Sequence, residues 1–349
     1  MGRTSLVGQF DVVHARILRF FPDLVEALGG DANALLQSAE IGLAELPADE
    51  SAATYRQLVQ LLELAAAGLR CPDFGMRLAT LQNGAGMFGP LGLVMKNSKT
   101  FGDALDYVST HAYAHSLAAR IWLKRSPTEQ TIFVGHDILL DRTPNKSQAL
   151  EQILLAGHLA TMGMTGGYAR VRKVHFRHQP VSPLRTYRRY FGCEVRFGQS
   201  EDGVAFSERD LACPIIDPDG RAYQLATSFI TAEFTRHAPP LHAQLLGLIM
   251  QFLGTEHCTT DRLASELNLH PRTLHRRLRA EGTSFQKVKD DVRRDLMLYY
   301  LQETAFEFGR ISEKLGYAEQ SVFTRSCNRW FSASPTKVRS LGRCHSLPG

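Results

Sequence analysis

The chain has 349 residues, of which 44% are apolar, and this is enough to fill the cores of two or three packed units. An apolar run at residues 245–253 is far shorter than the roughly 20 residues that cross a bilayer, so no membrane-spanning helix is expected. The net charge of +5 belongs to the last third, because residues 1–240 hold 24 Lys and Arg against 24 Asp and Glu, whereas residues 241–349 hold 16 against 11. A positive excess in one region is typical of nucleic-acid binding.

Helices and strands alternate in the first 240 residues. Apolar residues recur every three or four positions in residues 53–69, which predicts a helix, and two alternating segments within residues 117–134 predict a β-hairpin. Further helices are predicted at residues 149–164 and 221–236, and further strands at 171–177, 194–197 and 204–206. This order predicts an α+β domain in which helices cover one side of a sheet.

Two features of this region have both a chemical and a structural interpretation. The glycine-rich residues 84–90 resemble a nucleotide loop, but no Lys-Ser/Thr pair follows them, so a tight turn is predicted. His111 and His115 stand four apart on a predicted helix, a spacing that could hold a metal ion. Because no carboxylate or cysteine accompanies them, we interpret them as helix surface and core edge, and no metal is predicted.

The sequence carries no recognisable catalytic pattern. No Gly-x-Ser-x-Gly elbow, paired catalytic carboxylates or Cys–His arrangement stands out, so neither an enzyme nor a cofactor is predicted. The six cysteines form no Cys-x-x-Cys pair, which argues against a zinc cluster or a disulfide framework. The basic residues Arg185, Arg188 and Arg189 fit an anion site or a solvated surface, and the surface is favoured. The N-terminus shows no signal sequence, so a cytoplasmic location is expected.

After residue 240 the chain is predicted to be helical throughout. Helices at residues 241–253, 260–267 and 271–280 follow the tri-helical helix-turn-helix pattern. Asn268 suits the left-handed backbone of the turn, and Pro271 suits the first position of the third helix. The pattern predicts a DNA-reading unit.

The third of these helices has two chemically different faces. Leu274 and Leu278 are four apart and point to the core. The opposite face carries Arg272, His275, Arg276 and Arg279. Such a face could enter a major groove, where arginine bonds bidentately to guanine. The alternative is a solvated basic surface.

An internal repeat favours the first interpretation. Residues 267–269 followed by 274–278 recur as residues 315–317 followed by 323–327, with one additional residue between turn and helix. Gly316 takes the turn position of the second copy, where a missing Cβ removes the steric cost. The polar side of the second reading helix carries Gln320, Ser321, Thr324, Arg325 and Asn328. Between the copies, the pair Thr283-Ser284 can cap a helix at residues 285–301, which would hold the two helix-turn-helix units about 34 Å apart, one DNA turn.

Residues 267–282 and 311–339 resemble the two helix-turn-helix units of the AraC/XylS family of regulators, and the resemblance spans about residues 241–339. Two positions depart from the family pattern, since Cys327 replaces an aromatic residue and His270 stands at a cap position usually held by serine. The N-terminal region is similar to the arabinose-binding-type subgroup that includes ornithine-utilisation regulators. Its carriers are residues 89–92, 174–176, 190–193, 195–197 and 211–214.

The resemblance implies an α+β effector and dimerisation domain at residues 1–236 and an all-α DNA-binding domain at residues 237–349. Its two helix-turn-helix units lie at about 260–280 and 311–331 and are joined by a long helix. The side chains expected to bind DNA are Arg272, Thr273, His275, Arg276, Arg279, Gln320, Ser321, Thr324, Arg325 and Asn328.

The expected partners follow from the same resemblance. They are double-stranded promoter DNA, a small effector, RNA polymerase and a second copy of the chain, with activation as the expected outcome and repression left open. We expect a largely apolar effector pocket in which Arg or His groups would suit a carboxylate. The alternatives are a DNA-repair or DNA-modifying enzyme that carries the same DNA-binding module, and an architectural DNA binder. The first would need a nucleophile or a metal set in residues 1–240.

Overall fold

A computed structural model describes residues 11–41, 52–126, 128–140, 143, 145–233 and 239–343. The chain divides into two compact units. The first contains residues 1–138 and 146–238, and the second contains residues 139–145 and 239–349. The domain boundary predicted between residues 236 and 237 lies outside the described residues.

The first unit combines helices with a sheet, so the α+β prediction is confirmed. Its helices are α1 (Phe21–Ala27), α2 (Ala32–Ser38), α3 (Tyr55–Gly68), α4 (Phe74–Gln82), α5 (Pro90–Lys96), α6 (Phe101–His111), α7 (Ser147–Thr165), α8 (Leu184–Phe191) and α9 (Gly220–Glu233). Its strands are β1 (Val12–His14), β2 (Ala52–Thr54), β3 (Ala119–Ser126), β4 (Thr131–Ile138), β5 (Lys173–His175), β6 (Glu194–Arg196) and β7 (Gly203–Ser207).

Five of these strands form one sheet in the order β3-β4-β7-β5-β6. The predicted hairpin is the β3–β4 pair, and only the β5–β6 pair in this sheet is parallel. β5 is shorter than the predicted strand at residues 171–177. One cause is that the Arg177 N–H donates to the side chain of Asp202 (2.7 Å) and not to a neighbouring strand.

Capping fixes where α3 begins. The Thr54 hydroxyl accepts from the Gln57 N–H (3.1 Å), and the Gln57 side chain accepts from the Thr54 N–H (2.9 Å). This reciprocal capping box satisfies donors that the first helical turn leaves unpaired. The helix therefore begins at Tyr55 and not at Ala53 as predicted, and the preceding residues form β2, which pairs with β1 in a small sheet that was not predicted.

The glycine-rich segment forms the predicted tight turn. Ala85–Phe88 is a 3-10 turn, and Pro90 then opens α5 as its first residue. Gly92 must lack a side chain, because a Cβ there would lie 1.8 Å from the carbonyl oxygen of Ala85. The turn therefore packs against α5. A helix begins directly after it, but the sequence lacks the Lys-Ser/Thr pair of a phosphate-binding loop.

All secondary-structure elements in the described residues of the second unit are helices. Its helices are α10 (Leu241–Phe252), α11 (Thr260–Glu266), α12 (Pro271–Ala280), α13 (Phe285–Glu303), α14 (Phe308–Lys314), α15 (Gln320–Phe331) and α16 (Pro335–Arg343). No helix of the described chain, in either unit, is both long and apolar enough to cross a membrane.

Two apolar clusters fill this unit, and α13 contributes to both. Phe285 and Val288 belong to the cluster beneath α12, whereas Met297 and Leu301 belong to the cluster beneath α15. Leu296 is packed against both clusters. α13, the spacer helix predicted at residues 285–301, therefore packs into both clusters. This packing holds the two helix-turn-helix units to each other.

Candidate nucleic-acid interface

The first helix-turn-helix consists of α11 and α12. Asn268 adopts the predicted left-handed backbone in the turn (φ 53°). His270 then caps α12, because its Nδ1 accepts a hydrogen bond from the Arg272 N–H (3.2 Å). An imidazole thus performs the role that serine usually has at this position. Pro271 occupies the first helical position, as predicted.

The two faces of α12 separate as the sequence indicates. Leu274 and Leu278 have no solvent exposure and lie in the core. Arg276 follows Leu274 by two residues, or about 200° around the helix axis, and therefore points away from the core. The exposed side chains of this helix are Arg272, His275, Arg276, Arg277 and Arg279, whereas Thr273 is half-buried.

Two glycines shape the turn of the second helix-turn-helix, which consists of α14 and α15. Gly316 has a φ of 66°, as its turn position requires. Gly254, which follows α10, has a φ of 81°, and a Cβ on it would lie 2.8 Å from the carbonyl oxygen of Lys314. The turn therefore packs directly on backbone that follows α10.

α15 repeats the arrangement of α12. Phe323 and Cys327 are fully buried, and burial raises the pKa of the Cys327 thiol to about 11, so it stays protonated as a core group. Arg325 stands two residues after Phe323, as Arg276 does after Leu274, and it is exposed. Gln320, Ser321 and Asn328 are also exposed, whereas Thr324 is half-buried. The structure thus presents two polar helix faces at matching positions of a repeated motif.

The two faces differ in charge. Within the described residues, none of the arginines at positions 272, 276 and 279 is ion-paired, and no acidic residue lies within α12. On α15, Arg329 lies 3.5 Å from Asp290 of the spacer, which neutralises part of its charge. The first helix is therefore suited to phosphates and guanine, and the second offers mainly hydroxyl and amide groups.

Three residues that position these helices were not predicted. Arg293 of α13 donates from Nε to the carbonyl oxygen of Leu315 (2.9 Å), and its guanidinium lies 4.3 Å from the Tyr317 ring centroid. Lys289 of the same helix donates to the carbonyl oxygen of Cys258 (3.0 Å), just before α11. The spacer helix thus donates hydrogen bonds to the backbone of both helix-turn-helix units. The only signal in the sequence is two basic residues four apart on α13.

The third unpredicted residue is Glu281, which follows α12. Its carboxylate accepts from the N–H groups of Leu241 (2.8 Å) and His242 (2.9 Å), at the start of α10. A carboxylate at a helix N-terminus is favourable because the first N–H groups have no partner within the helix. Glu281 thereby ties the end of the first reading helix to the first helix of the unit.

The two histidines considered for a metal ion do not share a helix. His111 is the last residue of α6 and stacks on Tyr107 at a ring separation of 3.8 Å. His115 follows the 3-10 turn Ala112–Ala114 and is buried. The i, i+4 geometry on which that alternative depended is therefore absent.

Comparison with known proteins identifies the family to which the chain belongs. The model described as the arabinose-binding domain of AraC transcription regulator, N-terminal, matches residues 29–215, and a helix-turn-helix domain model matches residues 263–340. The HTH-type transcriptional regulator VirS of Mycobacterium tuberculosis is 31% identical over 95% of this chain and 97% of its own. The ornithine utilization regulator of Pseudomonas aeruginosa is 23% identical over 91% of this chain and 93% of its own.

Among solved structures, the transcriptional regulator CdpR from Pseudomonas aeruginosa covers 88% of this chain and 96% of its own, with 22% identity and a TM-score of 0.43. The long matches to a family model and to VirS agree with the repeated helix-turn-helix geometry. The chain belongs to the AraC family of DNA-binding transcription regulators, with an arabinose-binding-type N-terminal domain.

Proposed function

We propose that this regulator reads its operator with side chains of α12 and α15 and senses a small effector with residues 1–236. DNA reading is supported by the exposed polar faces of α12 and α15, which stand at matching positions of the repeated helix-turn-helix motif. The proposed DNA-binding residues are Arg272, Thr273, His275, Arg276, Arg279, Gln320, Ser321, Thr324, Arg325 and Asn328. We assign residues 237–349 to DNA binding.

The proposed division of labour rests on the chemistry of the two faces. Arg276 and Arg325 have the length and the fork-shaped donors to reach O6 and N7 of guanine. Gln320 and Asn328 can bond bidentately to adenine. Because α13 packs into both apolar clusters, the two faces keep a fixed relation, which suits successive major grooves on one side of the duplex.

The remaining parts of the proposal rest on family membership. Relatives with this architecture are named as transcription regulators, which supports a role as a regulator and not as a DNA-repair or DNA-modifying enzyme. Dimerisation through residues 1–236, contact with RNA polymerase and a cytoplasmic location belong to the same proposal. Effector binding is expected to change transcription without chemical conversion of the effector.

The affinity of the full-length protein for operator DNA should fall steeply with salt. Unpaired arginines on α12 would neutralise phosphates and release condensed counterions, so a plot of log affinity against log salt should be linear, with a slope of about −0.9 per phosphate neutralised. Fluorescence anisotropy with a labelled duplex between low and physiological salt measures this slope. An affinity that does not change with salt would contradict the proposed interface.

Effector sensing by residues 1–236 is tested with a transcription reporter driven by an operator obtained by selecting DNA duplexes that the full-length protein binds. A small molecule that changes reporter output should bind residues 1–236 in the full-length protein and should be recovered chemically unchanged. Calorimetry of the full-length protein, followed by cross-linking of the bound molecule, locates its site. A molecule that acts by binding residues 237–349, or that is converted by the protein, would overturn this part of the proposal.

A further inference from the structure

The first unit contains a cavity of about 90 Å³ between its helices and its sheet. Residues of α5, α6 and α7 line one side, and residues of β3, β4 and β7 line the other. Since a water molecule needs roughly 10–15 Å³ of such space, the cavity has room for roughly six or more water-sized groups. This is the scale of a small organic molecule.

The walls of this cavity are almost entirely apolar. Aliphatic and aromatic side chains come from every lining element, among them Phe88, Leu105 and Phe206. No Lys, Arg, Asp or Glu is among the described lining residues. The polar side chains are limited to His115, His136 and Thr161.

Two of these polar groups are neutral or already bonded. Burial lowers the pKa of His136 to about 4, so its imidazole is neutral, and its Nε2 lies 3.5 Å from the Tyr55 hydroxyl oxygen. The Thr161 hydroxyl donates to the carbonyl oxygen of Gly157 (2.8 Å), which leaves its oxygen able to accept. The lining therefore offers few hydrogen-bonding groups and no lysine, arginine or carboxylate that could pair with a charged ligand.

A ligand must match this lining, because a buried ion without a partner and a buried hydroxyl without a hydrogen bond are both unfavourable. We propose that the cavity binds an uncharged, mainly apolar molecule with a single hydrogen-bonding group. A sugar would leave most of its hydroxyls unbonded, and an amino acid would bury two charges. The expected carboxylate-bearing effector finds no arginine here. The inference rests on the proposed sensing function and names the chemical class of its effector.

Gly157 of α7 provides a way to fill the cavity. It lines the cavity, and a Cβ built on it would meet no atom within 4 Å. Gly163 of the same helix also has no atom within 4 Å of such a Cβ, but it is exposed to solvent and does not line the cavity. Gly157→Leu should therefore occupy the ligand space, and Gly163→Leu is the matched control on the same helix.

The experiment is isothermal titration calorimetry of the full-length protein at pH 7.5. The probes are 4-methylphenol, toluene, 4-methylbenzoate, L-arabinose and L-ornithine. We expect 4-methylphenol to bind the wild type and Gly163→Leu equally, and to bind Gly157→Leu at least about tenfold more weakly. Toluene should bind more weakly than 4-methylphenol because it lacks the hydroxyl, and the charged and polyhydroxylated probes should bind at least about tenfold more weakly than 4-methylphenol.

Thermal melting and DNA affinity accompany each titration. If Gly157→Leu melts below the wild type, Gly157→Val provides a smaller side chain for the same comparison. Undiminished binding of 4-methylphenol to a folded filling variant, or no binding of it to the wild type, would overturn the inference. Binding of arabinose or ornithine that Gly157→Leu blocks would overturn the ligand class and leave sensing intact. The sensing proposal fails separately, if the reporter responds to no small molecule.

Discussion

Replacing Leu278 with alanine is expected to lower the free energy of unfolding of the second unit by about 2–5 kcal/mol. The side chain is fully buried against the cluster that includes Phe285 and Val288, and its removal leaves a cavity that this packed core can close only in part. Because α12 is held by this contact, binding to all DNA sequences should weaken together. Urea unfolding followed by the fluorescence of Trp330, in a Trp122→Phe background, reports on the second unit.

The matched control is Leu341→Ala in α16, which makes the same chemical change where the leucine is 56% exposed. It should alter the free energy of unfolding by less than about 0.5 kcal/mol, as exposed substitutions usually do. Equal effects of the two substitutions would show that burial of Leu278 does not hold α12 in place.

Arg276→Ala and Arg325→Ala are expected to act on recognition and not on stability. Each arginine is exposed and stands on the side of its helix opposite the core, so unfolding should be nearly unchanged. Each substitution should cost about 1–3 kcal/mol in binding to the cognate site if the lost contact is a bidentate bond to guanine. Affinities for the cognate duplex and for duplexes with single base changes, together with melting temperatures, measure both effects.

Arg277→Ala is the control for charge, because Arg277 is also exposed but lies about 100° around α12 from Arg276. It removes the same charge from the same helix, and its effect should be similar for all sequences. The base-reading assignment is wrong if Arg276→Ala weakens every duplex to the same extent as Arg277→Ala does, or if it unfolds the second unit.

Local signals predicted the second unit well. The predicted and observed bounds of α12 coincide at residues 271–280, because Pro271 marks the first helical position and the leucine spacing marks the buried face. The left-handed turn conformations of Asn268 and Gly316 also follow from the residue types, because asparagine tolerates this backbone and glycine has no Cβ to clash. Where a helix start, a turn residue and an apolar period agree, the sequence is sufficient to predict the bounds of a helix and its buried face.

Contacts between distant residues could not be predicted in this way. The strand predicted to reach residue 177 ends earlier, in part because the Arg177 N–H bonds a side chain 25 positions away, and no local pattern contains that information. Arg293 and Glu281 hold the reading helices through backbone atoms of other elements. The apolar cavity likewise exists only where three helices meet the sheet. The sequence therefore led us to expect a largely apolar pocket but did not show which residues line it or that no arginine is among them.

Selection of bound duplexes from a random library shows whether one chain reads DNA with two helices. With the full-length protein, each half-site in the selected sequences should contain two short blocks whose centres lie about 10–10.5 base pairs apart. Arg276→Ala should erase the preference at one or two base pairs of one block, and Arg325→Ala should do so in the other block. A single block, or the loss of both blocks in both variants, would contradict the account.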